Sequence, residues 1–222
     1  MAILSRSFAP GQRLNVHAIA SEMGVSLTPV KDALTRLEAD ALIEIRPRSG
    51  TFVAVLQPDD VAEAFEIRCA LECLAAEKAL ARATAADVAR LRQLAEAIAE
   101  PSDDSNARLT HAARNAEFHK LIVALSGSRR LVQMYESLDA HIQIARVHLG
   151  HGDWKTRLAS ELEEHLAVVA AFDEGDAAGL VAALRSHIRR AADSLVHDLR
   201  NLGTQAEDST APADVPTEFH AS

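Results

Sequence analysis

Residues 24–34 read GVSLTPVKDAL, and this stretch decides the local fold of the first part of the chain. Gly24 can end a helix, Ser26 or Thr28 can cap the next one, and Pro29 fits a first helical turn because its missing N–H is not needed there. The apolar residues that follow recur at helical spacing, as expected for a buried helix face. The stretch therefore predicts a tight turn between two helices. These helices fall near residues 15–23 and 28–40.

A β-hairpin follows the second predicted helix. Residues 42–46 read LIEIR and alternate apolar with polar side chains, and residues 51–55 read TFVAV. Between them PRSG at 47–50 gives the turn a basic tip. A helix, a tight turn, a second helix and a hairpin make a winged helix-turn-helix, which we assign to residues 1–56.

The rest of the chain predicts helices with one apolar face each, separated by glycine, proline and capping signals. They fall near residues 58–82, 84–99, 105–126, 128–149, 154–174 and 176–202. The fold class is thus mainly α, with the winged helix-turn-helix followed by an antiparallel all-helical bundle at 57–203. Residues 204–222 show no periodicity and are predicted to form a disordered tail.

The charge is divided unevenly along the chain. The 222 residues carry a net charge of −9, yet residues 1–56 hold 6 Lys and Arg against 5 Asp and Glu, whereas residues 57–222 hold 17 against 27. The excess acid therefore lies away from the candidate DNA-binding part. No apolar run is long enough to cross a bilayer, so we expect a soluble, cytoplasmic protein without a membrane partner. Cys69 and Cys73, four residues apart, suit neither a disulfide nor a zinc site and are expected to stay reduced.

Hydroxyl and basic side chains stand where a recognition helix and a wing reach DNA. A recognition helix enters the major groove with its N-terminal end. The candidates on that helix are Ser26, Thr28, Lys31 and Thr35, and those on the wing are Arg46, Arg48 and the Gly50 backbone. An ordinary solvated helix can carry the same residue types, so the residues alone leave DNA contact open.

One set of polar residues in the helical part has spacing that fits a metal. Asn115 and His119 stand four apart on one helix face, and His165 and His187 lie on the two following long helices among apolar residues. Imidazoles favour zinc, nickel, copper or iron, with an amide oxygen as a weak fourth donor. The alternative is that these histidines are structural core residues. Other histidines, His111 among them, are predicted to lie at the surface or at helix ends.

Several pieces of residues 10–51, in register, resemble the GntR family of regulators. They are PGQRL at 10–14, IA at 19–20, GVS at 24–26, TPVKDAL at 28–34, RLE at 36–38 and PRSGT at 47–51. The resemblance implies that Ser26, Leu27, Thr28, Lys31 and the wing meet operator DNA. Three positions depart from the family pattern, since Leu27 and Lys31 stand where arginine is usual and Ala41 where glycine is usual. Leu27 makes no phosphate or guanine contact, and Lys31 keeps the charge without the planar fork, so an atypical operator preference is expected.

Residues 59–200 resemble the FCD ligand-binding domain of the FadR subfamily. The matching pieces are Arg68, LE at 71–72, EFH at 117–119, the run from His165 to Phe172, GD at 175–176, Ala182 and His187. The resemblance implies that an Asp and three His hold a divalent metal, zinc or nickel, which coordinates a small organic acid, and that Arg68 holds the carboxylate of that acid. Here Asn115 replaces the Asp, which removes one negative charge from the site. For Arg68 the alternative is an ion pair with Glu72.

Taken together, these features predict a DNA-binding transcription regulator, a repressor, that acts as a homodimer on a two-fold symmetric operator and responds to an organic acid. The serious alternative is a DNA-binding regulator whose helical bundle is a metal-free dimerisation scaffold. A metal hydrolase is a further alternative, but the chain has no His-Glu-x-x-His motif and a hydrolase leaves residues 10–56 without a role. We therefore expect no enzyme activity.

Overall fold

A computed structural model describes residue 8 and residues 10–39, 42–55, 57–100, 107–138 and 154–208. It is mainly helical and carries one small sheet, which confirms the predicted fold class. None of the helices in these ranges is long and apolar enough to span a membrane.

The first five elements form a winged helix-turn-helix. They are β1 (Arg13–Leu14), α1 (Val16–Glu22), α2 (Leu27–Ala39), β2 (Ile43–Arg46) and β3 (Gly50–Val53). The strands pair antiparallel in the order β1-β3-β2. The two predicted helices and the hairpin are confirmed, with ends that differ by one or two residues.

Local capping and apolar packing explain where α1 and α2 lie. Asn15 caps α1 by accepting a hydrogen bond from the Ala18 amide at 3.1 Å. Gly24 follows α1 with φ +64°, a backbone conformation that favours glycine. Val30 and Leu34 are the buried residues of α2. They share one core cluster with Leu14, Ala20, Leu42, Ile43 and Val53.

Strand β1 was not predicted from the sequence. It contains only two residues, too few to show an alternating pattern, and it is a strand because it pairs with β3. The pairs are Arg13 with Phe52 and Leu14 with Thr51. The wing is therefore a three-stranded sheet whose central strand is β3.

The remaining elements form the helical part. They are α3 (Pro58–Leu80), α4 (Ala85–Ala99), α5 (Ala107–Leu125), α6 (described over 129–138), a 3-10 turn (Trp154–Arg157), α7 (Leu158–Glu174) and α8 (Ala177–Asp208). Helix α3 packs against α5 and α8, and α7 packs against α4 and α8. Thr84 and Asp87 form a capping box at the start of α4, and Gly175 ends α7 in a left-handed conformation with φ +69°.

Apolar side chains fill the space between α3, α4, α5, α7 and α8. Leu91, Phe118, Ile122, Val169 and Leu184 have no exposed surface. They belong to the largest core cluster of the described residues, to which α3, α4, α5, α7 and α8 all contribute. This core fixes the helices that carry the candidate site.

Two sequence predictions need correction or fall outside the described residues. The tail was predicted to be disordered from residue 204, but α8 continues to Asp208, so that boundary was wrong. Residues 204–208 read TQAED, which contains helix formers and no proline, so the helix passes Gly203 without a break. Residues 139–149 of the predicted helix 128–149, together with Ala41 and residues 209–222, lie outside the described residues.

Candidate metal centre and DNA-binding face

Three histidines from three helices meet inside the helical part. His119 on α5, His165 on α7 and His187 on α8 are fully buried. Their ring centroids lie 5.6 Å (119 to 165), 4.4 Å (165 to 187) and 5.1 Å (119 to 187) apart. One ring nitrogen of each lies within 4.8 Å of one ring nitrogen of each of the others. We call these three residues the histidine cluster.

An oxygen atom fixes the orientation of each ring in the histidine cluster. Each Nδ1 lies 2.7 Å from its acceptor, which is Glu72 Oε2 for His119, the Glu161 backbone carbonyl for His165 and Glu164 Oε2 for His187. Because these oxygens only accept, Nδ1 carries the proton and Nε2 keeps its lone pair in each neutral ring. Acceptors on Nδ1 of this kind typically orient metal-binding histidines.

Glu72 on α3 connects the cluster to two further buried side chains. Besides His119, it accepts hydrogen bonds from Arg68 Nε at 2.6 Å and from the Tyr135 hydroxyl of α6 at 3.1 Å. Burial alone would raise the pKa of Glu72, but the charge of Arg68 and the hydrogen bond from His119 outweigh it and hold the pKa well below its ordinary value. Burial lowers the pKa of His119 to about 3, although the charge of Glu72 acts in the opposite direction. The contact between Glu72 and His119 therefore joins a carboxylate to a neutral ring.

Arg68 is buried against Glu72, with 1% of its side chain exposed. The ion pair that the sequence offered as the alternative to a ligand contact is therefore present. A contact between Arg68 and an effector carboxylate stays a prediction. Through Glu72, Arg68 also stabilises the hydrogen bond that orients His119.

Asn115 lies where its spacing from His119 predicted, fully buried beside the histidine cluster. Its Nδ2 lies 3.5 Å from His165 Nε2 and 3.4 Å from Glu161 Oε1. The other oxygen of Glu161, Oε2, lies 2.8 Å from His111 Nε2. His111, which was predicted to lie at the surface or at a helix end, is 16% exposed and is linked to Asn115 through Glu161.

The residues present fit a divalent metal ion. Three imidazole rings form a donor set that suits zinc or nickel. His119 Nε2 is buried and has no hydrogen-bond partner among the described residues, which leaves its lone pair for a ligand. Nitrogen ligands of tetrahedral zinc stand about 3.4 Å apart. Ring nitrogens within 4.8 Å of one another therefore reach an ion after small rotations.

The cluster's supporting residues were largely missed by sequence reasoning. Glu72 was named only as a possible ion-pair partner of Arg68, and Glu161 stands four residues before His165, a spacing that would have indicated contact within one helix. Tyr135 and the contact of Glu164 with His187 join different helices, and no local pattern reveals them. Glu164 also accepts hydrogen bonds from Arg190. Burial raises the pKa of Glu164, but the hydrogen bonds from His187 and Arg190 outweigh it and lower the pKa.

Four of the predicted DNA-contacting residues, Leu27, Lys31, Thr35 and Gly50, line a common groove of the winged helix-turn-helix. Ser26, Thr28, Lys31, Thr35, Arg46 and Arg48 are exposed, and Leu27 and Gly50 are partly buried. Arg46 pairs with Glu44 at 2.7 Å and lies over the Phe52 ring. Arg48, at the tip of the wing, has φ +64°.

A groove of about 710 Å³ separates the recognition helix from the wing. Lys31 and Thr35 line one side, and Gly50 lines the other. Sequence reasoning missed four further polar residues of this groove, namely Arg13, Asn15, His17 and Thr51. The Arg13 side chain lies close to Gly50. A Cβ atom added to Gly50 would lie 2.9 Å from Arg13 Nε. The described lining contains no acidic residue, so the groove suits an anion.

Comparison with known proteins gives matches over both parts of the chain. Residues 1–53 match the bacterial regulatory proteins of the gntR family, and residues 63–190 match the FCD domain. The Nta operon transcriptional regulator of Aminobacter aminovorans is 29% identical over 213 residues, which cover 96% of this chain and 97% of that protein. The HTH-type transcriptional repressor RspR of Escherichia coli is 26% identical over 191 residues, 84% of this chain and 81% of that protein.

Solved structures show the same fold. The structure of E. coli McbR/YncC superposes with a TM-score of 0.76 at 23% identity, covering 88% of this chain and 92% of that one. The family and the named relatives are transcription regulators and not enzymes, so the hydrolase alternative is set aside. This chain belongs to the GntR family of bacterial regulatory proteins and is a DNA-binding transcription regulator with an FCD domain.

Proposed function

We propose that this regulator is a metal-dependent sensor of a small organic acid, which controls its binding to operator DNA. The observation that carries the proposal is the histidine cluster, in which every Nδ1 is tied to an oxygen and a buried Nε2 remains available. The proposed ligands of a zinc or nickel ion are His119, His165 and His187, with Asn115 beside them.

Burial supports a metal over a purely structural role. A buried polar atom without a hydrogen bond costs about 1–3 kcal/mol, and His119 Nε2 is such an atom among the described residues. Apolar side chains would fill the same space without that cost. A metal ion bonded to Nε2 removes the penalty.

The effector class follows from the proposed metal. An ion held by three protein nitrogens keeps coordination positions open, and a carboxylate oxygen is a suitable ligand for them. Arg68 shares the Glu72 carboxylate with His119 and is the proposed partner of the effector carboxylate. Sugar acids, hydroxy acids and short dicarboxylates are the compounds to test.

The DNA-binding part of the proposal concerns the face that carries the recognition helix and the wing. Ser26, Leu27, Thr28, Lys31 and Thr35 would enter the major groove, while Arg46, Arg48 and the Gly50 backbone would meet the adjacent strand. We add Arg13, whose guanidinium lines the groove between α2 and the wing, as a phosphate contact. A homodimer would place two such faces on a two-fold related operator in the cytoplasm, and the relative named as a repressor supports repression.

The second candidate is a metal-free scaffold that only dimerises. It is favoured by the placement of Asn115, whose NH₂ group, a donor, lies 3.5 Å from His165 Nε2 where a metal ligand would present an oxygen. In this case the DNA-binding role is unchanged, but metals and acids have no effect on the protein.

Metal content and thermal stability separate the two candidates. Untagged protein is loaded with zinc or nickel, dialysed and analysed for bound metal, and its midpoint of unfolding is then measured with a panel of organic acids. A ligand at 100 times its dissociation constant stabilises the protein by about 2.7 kcal/mol, roughly 5–10 °C for a chain of this size. We expect stoichiometric metal that is lost in His165→Ala and kept in His197→Ala, an exposed histidine of α8. Wild-type protein without metal and without any acid-dependent shift would favour the scaffold.

DNA binding is tested separately by fluorescence anisotropy on the DNA upstream of the regulator's own gene. We expect binding that exceeds binding to scrambled DNA at moderate salt, and release when the effector is added. Equal affinity for both DNAs would count against this stretch as the operator.

A further inference from the structure

Helices α3 and α6 carry the large apolar side chains that the helical part leaves exposed. Among the described residues of that part, they are Ile67 and Leu74 of α3 and Met134 of α6, which are 52%, 46% and 54% exposed. The two helices are neighbours, since Leu71 of α3 and Tyr135 of α6 share one core cluster. A single exposed apolar residue is common on protein surfaces, but several on adjacent helices indicate a contact surface.

One side of α3 carries a row of exposed side chains. The row consists of Glu63, Ile67, Ala70, Leu74 and Lys78, all of which are exposed. Steps of three or four residues keep these positions on one side of an α-helix. We call this row the α3 stripe. Its middle is apolar, and its two ends carry opposite charges.

The α3 stripe is complementary to itself when two copies run antiparallel. Ile67 and Leu74 lie equally far from the point between positions 70 and 71, and so do Glu63 and Lys78. A two-fold axis at this point therefore places Ile67 beside the partner's Leu74. The same axis places Glu63 beside the partner's Lys78. Each of these contacts then occurs twice, as in an isologous interface.

Charge and size along α3 favour this pairing. Three acidic residues stand three or four positions from Glu63 on the same helix, namely Asp59, Asp60 and Glu66. A lysine from the partner would therefore enter an acidic environment. Ala70, near the centre, has a small side chain, which lets two helix axes approach to about 8–10 Å. A parallel pair in register would instead bring Glu63 of the two copies together, and like charges across an interface repel.

From this arrangement we infer that the α3 stripe is the contact between two copies of this chain, which pair through α3 in antiparallel orientation. The inference rests on the homodimer of the proposed function and gives that homodimer its surface and its register. The two-fold axis that relates the α3 helices then also relates the two DNA-binding faces, as a two-fold symmetric operator requires.

Charge reversal tests the register. The dissociation constant of the dimer is measured by sedimentation velocity over a series of protein concentrations. We expect Glu63→Lys and Lys78→Glu each to raise it about tenfold, because each change brings two like-charged pairs together. The double variant Glu63→Lys with Lys78→Glu restores both pairs and should dimerise as wild type does. The matched control is Glu163→Lys, an exposed glutamate of α7, which should stay within about threefold of wild type.

Mixing the two single variants gives a result that misfolding cannot imitate. In a mixed pair each reversed residue meets an opposite charge, so the heterodimer should outnumber both homodimers. Native mass spectrometry distinguishes the three species by mass.

The apolar centre of the α3 stripe is tested by Leu74→Glu. This change places a carboxylate against the partner's Ile67 twice in each dimer, so we expect the dissociation constant to rise at least about a hundredfold. The control is Val55→Glu in the DNA-binding part, since Val55 is 55% exposed and should tolerate the charge. Circular dichroism verifies that each variant is folded.

The outcomes separate this inference from the homodimer on which it rests. A wild-type dimer that persists unchanged in Leu74→Glu would overturn the α3 stripe as the contact, while the homodimer stands. Failure of the double variant to recover dimerisation, or a mixture that forms no excess of heterodimer, would overturn the antiparallel register and the inference with it. If wild-type protein stays monomeric at every concentration, the homodimer itself fails, and the α3 stripe would belong to a different partner.

Discussion

Replacement of Glu72 by glutamine tests the buried network most directly. The carboxylate accepts hydrogen bonds from Arg68 Nε at 2.6 Å, His119 Nδ1 at 2.7 Å and the Tyr135 hydroxyl at 3.1 Å. Glutamine has nearly the same shape but no charge, so Arg68 loses the carboxylate that compensates it. Removing one partner of a buried ion pair costs about 3–5 kcal/mol.

This cost translates into a measurable change in the midpoint of thermal unfolding. In a chain of this size each kcal/mol shifts the midpoint by about 2–4 °C. We therefore expect Glu72→Gln to lower the midpoint by at least about 6 °C, measured by circular dichroism at 222 nm.

The matched control is Glu117→Gln, which breaks an ion pair of the same length at the surface. The Glu117 carboxylate lies 2.6 Å from Arg90, but the two side chains are 55% and 52% exposed. Exposed ion pairs contribute about 0–1 kcal/mol, so the midpoint should fall by less than about 4 °C. Equal shifts for Glu72→Gln and Glu117→Gln would refute the reasoning that burial makes the Glu72 network stabilising.

Three further predictions concern the DNA-binding face and a buried thiol. Arg13→Gln should remove one phosphate contact and reduce the salt dependence of operator binding, measured as the slope of log K against log salt, by about 0.9. The control Arg92→Gln in α4 should leave this slope unchanged. Equal slopes for wild type and Arg13→Gln would exclude Arg13 from the interface. Leu27→Arg adds a bidentate donor at the start of α2 and should change operator affinity or base preference by about 1–3 kcal/mol in anisotropy titrations, and unchanged binding would place position 27 away from the bases. Burial and the neighbouring Cys69 raise the pKa of Cys73 to about 11. The neutral thiol is thus favoured in the folded state, so alkylation at pH 9 should be far slower in native than in urea-unfolded protein, and stability should fall as pH rises from about 9 to 11; equal alkylation rates would contradict this.

Local patterns in the sequence were enough to predict the helices and the hairpin. The run GVSLTPVKDAL contains its own helix end, cap and first-turn proline, so its structure follows from short-range interactions. Strand β1 escaped prediction because a two-residue strand is specified by its partner β3. The end of α8 was misplaced because residues 204–208 change in composition without containing a helix breaker.

The candidate site was only partly accessible from sequence. The four positions Asn115, His119, His165 and His187 do meet, since helix periodicity and a packed bundle bring them together. The sequence did not show which nitrogen of each ring faces the centre. That choice depends on acceptors such as Glu164, which come from neighbouring helices, and on local carbonyl geometry.

Helix α3 follows the wing along the chain and carries a residue that contacts the histidine cluster. It begins at Pro58, five positions after the last residue of β3, and it carries Glu72, the acceptor that holds His119. Glu72 is fourteen positions after Pro58 in the same α-helix, a rise of about 21 Å. The residue that orients His119 therefore stands on the helix that follows the central strand of the wing along the chain.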